Sequence, residues 1–138
     1  GGNATFLLNV PPNRHGRLAD ADVRVLAQLG QKIADFRSRR IDAAREDSSN
    51  TVTLRFDSPQ SVGALVLEED ITRGQRIDEA VVASCVEGDD EREIARVQCV
   101  GYRRIITLDK PVTATRVRVT VTASRQGFYL ADVYAVRA

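Results

Sequence analysis

The sequence predicts a mainly β protein, an antiparallel β-sandwich or barrel preceded by one strand–helix unit. Two observations support this. Residues 51–138 alternate between apolar and polar positions and are rich in β-branched residues, which is typical of half-buried strands. Residues 18–36 instead carry apolar side chains at spacings of three and four, which is typical of a helix. A βα unit followed by an all-β block is best explained as the tail of an α/β domain joined to a complete β domain.

The composition limits the classes of function. The 138 residues suffice for one domain with a core, or for one domain and a piece of another. A net charge of +1 gives no strong attraction to nucleic acid or to a membrane surface, and no segment is apolar enough to span a bilayer. We therefore expect that the chain binds neither nucleic acid nor a membrane. The chain contains no methionine, so we expect it to be a cut piece or a processed product.

The first elements are a strand and a helix. Residues 5–10 (TFLLNV) form an apolar run without alternation, which favours a strand buried on both faces, as in parallel sheets. Pro11 and Pro12 end it, because proline cannot donate to a strand ladder. A helix is predicted over residues 20–36, with Asp20 and Asp22 at its first turn. Its apolar stripe includes Leu18, Val23, Leu26, Leu29, Ile33 and Phe36.

The next segment, residues 37–50, is charged and weakly patterned, so we interpret it as a linker. Beyond it, short β-rich runs are separated by turn signals at residues 57–59, 73–74, 87–90 and 109–111. The period-two positions predict an inward-facing core of Leu54, Phe56, Leu65, Leu67, Val82, Ile94, Ile105, Val117, Val119 and Val133.

Three stretches resemble a known enzyme family. GGNATFLLNVPPNRHGRLADADVRVLAQLGQKI is similar to the last strand and helix of the catalytic (β/α)₈ barrel in bacterial α-L-fucosidases of glycoside hydrolase family 29. LEEDITRGQRI and IARVQCVGYRRIITLDKPVTATRVRVTV resemble the discoidin-like, or coagulation-factor type C, domain that often follows. The resemblance implies a barrel end at 1–36, a linker at 37–50, and a galactose-binding-like jelly-roll sandwich at 51–138.

The same resemblance indicates where substrate would lie. The loop that follows a barrel strand edges the active site, so Asn9, Asn13 and His15 are candidate substrate-binding residues. The alternative is that they only close the turn after the strand. Retaining glycosidases use two carboxylates, and in fucosidases of this kind both come from earlier barrel strands. We therefore expect no catalytic residue in this chain.

On the sandwich, Glu69 and Arg76 bracket one loop and form either a structural bridge or a site for sugar hydroxyls. Arg103 is a further candidate for binding a hydroxyl or a carboxylate of a ligand. No metal site is predicted, since the two cysteines lack zinc-type spacing. The resemblance allows calcium, but the Asp-rich segment that usually binds it in such domains is not seen. We therefore expect no cofactor.

Three functions remain open. The first is a non-catalytic fragment of an α-L-fucosidase, whose sandwich stabilises the enzyme or targets it to a glycan. The second is a carbohydrate-binding or cell-surface-binding module, and the third is a structural domain for protein contacts. The run Leu-Leu-Asn-Val-Pro-Pro favours the first. The resemblance implies a fucosylated glycan or oligosaccharide as partner and a secreted or periplasmic location. The apolar residues of the strand and helix would be covered by the chain's own sandwich or by a second copy in a homodimer.

Overall fold

The computed structural model describes residues 4–138, which divide into two compact units, residues 4–39 and 40–138. The first unit holds one helix and the second holds six strands. In chain order the elements are α1 (Asp20–Ser38), β1 (Ala44–Ser48), β2 (Thr51–Glu69), β3 (Ile77–Cys85), β4 (Arg92–Gln98), β5 (Arg104–Ser124) and β6 (Leu130–Arg137).

The second unit is an antiparallel sandwich in which two long strands contribute to both layers. Its strand order is β1-β2-β5-β3-β4, with β6 paired to β2. Residues 51–55 of β2 lie between β1 and the second half of β5, whereas residues 64–67 lie between β6 and the start of β5. Residues from both halves of β2 belong to one buried cluster, so the two half-sheets face each other. The predicted antiparallel sandwich is confirmed.

The length of β2 and β5 differs from the prediction. The sequence predicts turns at Pro59 and Pro111, yet both residues lie inside continuous strands of 19 and 21 residues. Residues 56–59 of β2 and 108–111 of β5 have no partner in the β2–β5 ladder. Proline lacks the N–H that a ladder requires, so it is tolerated at these irregular positions, where the long strands pass from one layer to the other.

The core agrees with the predicted one at most positions. Eight predicted residues lie in the buried cluster, namely Leu54, Phe56, Leu65, Leu67, Val82, Val117, Val119 and Val133. Ile94 is partly buried and packs against this cluster. The prediction for Ile105 is wrong, because Ile106 takes its place. Ile106 is the cross-strand partner of Leu65 and therefore points to the same side of the sheet, whereas Ile105 is opposite Val66.

Residues 37–50, interpreted above as a linker, differ from that expectation. The helix continues to Ser38, Arg40 forms an isolated bridge with Val136, and β1 pairs with β2. Strand β1 reads AREDS, and such a charged edge strand lacks the apolar alternation by which strands are recognised.

The first unit consists of a turn-rich segment and helix α1. Residues 5–10 form no strand, contrary to the prediction. A strand needs a neighbour with which to exchange backbone hydrogen bonds, and the described part of this unit contains no strand at all. The side chains of Phe6 and Leu7 are 80% and 91% exposed, and no residue of α1 is buried. No helix among the described residues is long and apolar enough to cross a membrane.

Gly63 marks a close approach inside the sandwich. A Cβ atom at this position would lie 2.7 Å from the Cα of Ala138, whose N–H donates to the Ser61 carbonyl at 3.1 Å. We expect Gly63→Ala to lower the free energy of unfolding by about 1–3 kcal/mol, because the backbone must shift to admit the methyl group. Urea denaturation followed by circular dichroism measures this. Gly127→Ala, where no atom lies within 4 Å of the added Cβ, is the control. Equal midpoints for the two variants would show that residue 138 moves freely aside.

Candidate functional site

The main candidate site is an open cleft of about 420 Å³ at one end of the sandwich. Two connections form it, residues 70–76 between β2 and β3 and residues 125–129 between β5 and β6. Its lining residues are Asp70, Thr72, Arg73, Arg76, Gly127, Phe128 and Tyr129.

Glu69 anchors the first of these connections. Its side chain is buried, with Oε1 accepting hydrogen bonds from the N–H groups of Arg76 (2.6 Å) and Ile77 (3.0 Å). Its Oε2 accepts one from the Gly101 N–H at 3.1 Å. The structure thus brings the predicted pair Glu69 and Arg76 together, but through the backbone of Arg76 and not through its guanidinium. Because all three bonds go to backbone amides, the geometry gives Glu69 a scaffolding position.

Arg76 joins the two connections. Its guanidinium donates to the Gly127 carbonyl at 2.6 Å and to the Arg73 carbonyl at 3.4 Å. Between the two arginines, Gly74 adopts a φ of +90° and donates to the Ile71 carbonyl, which confirms the predicted turn. The arginine side of the cleft is therefore held by hydrogen bonds before any ligand arrives.

Asp70 holds the opposite edge. Its N–H donates to the Tyr129 carbonyl at 2.9 Å, and its Oδ1 accepts from the Thr72 N–H at 2.9 Å. The hydrogen bond from Thr72 lowers the pKa of the Asp70 carboxyl below its usual value, with a smaller contribution from the nearby arginines. Asp70 is thus a carboxylate at neutral pH and can accept hydrogen bonds from a ligand.

Aromatic side chains complete the site. Tyr129 is 62% exposed and Phe128 partly buried, and both also line a second hollow of about 160 Å³ beside residues 47–52. A cleft that combines guanidinium donors, a carboxylate acceptor and an exposed aromatic ring suits a ligand with many hydroxyls and an apolar ring face. Asp70 is the one acidic side chain among the described residues that line this cleft. The arrangement suits binding.

The other predicted residue of the sandwich, Arg103, does not line this cleft. Its Nε donates to Glu68 Oε1 at 2.6 Å, and its guanidinium lies 5.5 Å from the centre of the Tyr102 ring. The hydrogen bond that Arg103 donates to the Glu68 carboxylate raises the pKa of Arg103. Arg103 is therefore engaged within the protein.

The candidates of the first unit form a local turn. Asn13 Oδ1 accepts hydrogen bonds from the N–H groups of His15 (2.9 Å) and Arg17 (3.1 Å), and the Asn13 N–H donates to the Arg17 carbonyl. Asn9 and His15 are exposed. This geometry matches the turn-closing alternative for Asn13. The substrate-binding role of the three residues stays a prediction.

No metal site is evident among residues 4–138. No three His, Cys, Asp or Glu side chains in this part of the chain are grouped so that they could hold an ion. The described residues therefore contain no acidic cluster that matches the calcium site allowed by the resemblance.

Sequence reasoning missed Asp70, Arg73 and Tyr129 as site residues. The turn at Arg73 and Gly74 was visible, and the final β-rich run contains Phe128 and Tyr129. No local pattern indicates that these two segments, about 50 residues apart, share a cleft.

Comparisons with known proteins show which proteins the chain is similar to. No family model matches the chain. It is 34% identical over 74 residues to α-L-fucosidase 1 of Arabidopsis thaliana, which covers 53% of the chain and 14% of that protein. A crystal structure assigned as an α-L-fucosidase of Bacteroides thetaiotaomicron matches with a TM-score of 0.82 and 26% identity, over 92% of the chain and 29% of that protein. The chain is similar to α-L-fucosidases in sequence. A glycoside hydrolase family 29 fucosidase of Ruminococcus gnavus, solved as a mutant in complex with fucose, shares its fold with a TM-score of 0.80 at 18% identity, over 99% of the chain and 34% of that protein.

The chain spans less than a third of the length of the Arabidopsis or the Bacteroides thetaiotaomicron protein. A further likeness concerns its sandwich. The family 32 carbohydrate-binding module of NanJ from C. perfringens, solved with galactose, matches with a TM-score of 0.53 and 16% identity, covering 68% of each chain. At this identity the likeness shows the fold alone, which is the predicted galactose-binding-like architecture.

Proposed function

We propose that this chain is the non-catalytic part of an α-L-fucosidase, in which the sandwich binds carbohydrate and holds the enzyme at its glycan substrate. The observation that carries the proposal is the cleft of Asp70, Arg73, Arg76 and Tyr129. Its guanidinium and carboxylate groups can bond sugar hydroxyls, and its exposed tyrosine can pack against a sugar ring. The fucosidase relatives and the fold of the NanJ module support the same function.

In this function, the sandwich binds the glycan and the catalytic barrel hydrolyses it. The whole enzyme would release α-linked L-fucose from a fucosylated glycan with a pair of carboxylates carried by other barrel strands. The sandwich would raise the local concentration of glycan, because a second linked binding site makes the encounter intramolecular. A secreted or periplasmic location belongs to this proposal, since such glycans lie outside the cell.

Substitution of the exposed tyrosine tests the proposal. We expect the chain to bind immobilised oligosaccharides on a glycan array, and Tyr129→Ala to weaken binding about 10-fold, or roughly 1.4 kcal/mol. Tyr102→Ala is the matched control, because Tyr102 is 60% exposed and lies outside the cleft. The same preparation should hydrolyse no chromogenic α-L-fucoside. If the chain binds no glycan, or if both variants lose the same affinity, the proposed binding role is refuted. If the chain hydrolyses the fucoside and this activity disappears on replacing Asp20 or Asp22, the proposed non-catalytic role is refuted.

A further inference from the structure

The arginines of the cleft differ from most arginines of the sandwich. Eight others form a salt bridge with a carboxylate at 2.6–3.0 Å, namely Arg40, Arg45, Arg55, Arg96, Arg103, Arg116, Arg118 and Arg125. Neither Arg73 nor Arg76 forms one with a carboxylate in residues 4–138, although they belong to one short connection and line one cleft. The domain thus pairs most of its arginines with carboxylates, but leaves both arginines of this cleft without a salt bridge.

The immediate surroundings leave positive charge facing the cleft. The Arg73 side chain is exposed, and the partners of the Arg76 guanidinium are neutral carbonyl groups. Asp70 supplies one carboxylate for two guanidinium groups. Glu69 lies nearby but is 3% exposed and turns both oxygens toward backbone N–H groups, so it does not line the cleft.

We propose that this cleft binds an anionic sugar residue, with its carboxylate or sulfate ester against Arg73 and Arg76 and its ring against Tyr129. The inference rests on the proposed carbohydrate-binding function and adds the class of sugar. A guanidinium presents parallel N–H donors that match the oxygens of such an anion, and these charge-assisted bonds are stronger than bonds to neutral hydroxyls. The volume of about 420 Å³ lies within the range of roughly 300–1,000 Å³ that small-ligand sites occupy.

Three ligands that differ only at carbon 6 test the inference, namely the methyl α-glycosides of galacturonate, galactose 6-sulfate and galactose. Isothermal titration at low salt should give at least about 10-fold tighter binding for an acidic glycoside than for the neutral one. Raising the salt to 1 M should remove most of this difference, because it shortens the Debye length to about 3 Å. The two acidic ligands distinguish a carboxylate-bearing sugar from a sulfated sugar.

Arg73→Gln should weaken binding of the preferred acidic glycoside about 10-fold and change binding of the neutral one less than about twofold. Arg92→Gln removes the same charge from an exposed residue paired with Ser84 at the far end of β3, and should change neither affinity. Equal affinity for all three glycosides would overturn the inference and leave the proposed function intact. Absence of binding by all three, together with no binding on the glycan array, would overturn both.

Discussion

Glu69→Ala should lower the free energy of unfolding of the sandwich by at least about 3 kcal/mol. The carboxylate accepts hydrogen bonds from the N–H groups of Arg76, Ile77 and Gly101, and its removal leaves these donors without a protein partner in a largely buried place. Each unsatisfied buried donor costs about 1–3 kcal/mol. Urea denaturation followed by circular dichroism measures the loss.

Two further variants sharpen this test. Glu69→Gln keeps one acceptor oxygen but turns an NH₂ group toward a backbone donor, so we expect a loss between that of Ala and none. Glu93→Ala removes a half-exposed carboxylate that pairs with Arg96 and should cost no more than about 1 kcal/mol. Similar midpoints for Glu69→Ala and Glu93→Ala would mean that the loops find other partners and that Glu69 does not anchor the cleft.

Leu67→Ala should lower the free energy of unfolding by about 2–5 kcal/mol. Leu67 is fully buried in β2, opposite Arg104 of β5 and Val133 of β6, and belongs to the core where the two half-sheets meet. Truncation removes buried methyl groups and leaves a cavity that the flanking strands can close only in part. Thermal and urea unfolding of the sandwich measure the effect.

Leu7→Ala makes the same chemical change at a side chain that is 91% exposed, and should alter the stability by less than about 0.5 kcal/mol. A loss below 1 kcal/mol for Leu67→Ala would contradict the packing described for this core. A loss for Leu7→Ala as large as that for Leu67→Ala would indicate that Leu7 is covered in solution, by the sandwich or by a second copy of the chain.

Local patterns predicted the elements whose environment is regular. Alternation identified the β-rich region beyond residue 51 and most of the core, because each strand places one of its faces against a single interior. Helix α1 followed from its apolar spacing and acidic first turn. The prediction of a strand at residues 5–10 was wrong, because an apolar run forms a strand only beside a neighbour with which it can exchange backbone hydrogen bonds.

The sequence by itself determined that the sandwich is antiparallel, that helix α1 forms in the first unit, and that the chain turns at Gly74. It also determined the family resemblance. These features depend on neighbours within a few positions along the chain. Tertiary structure decided the rest. Pro59 and Pro111 lie in unpaired stretches of long strands and not in turns, and register placed Ile106 inward in place of Ile105. The cleft exists because Glu69 and Arg76 bond backbone groups distant in sequence, and such contacts leave no periodic signal in the chain.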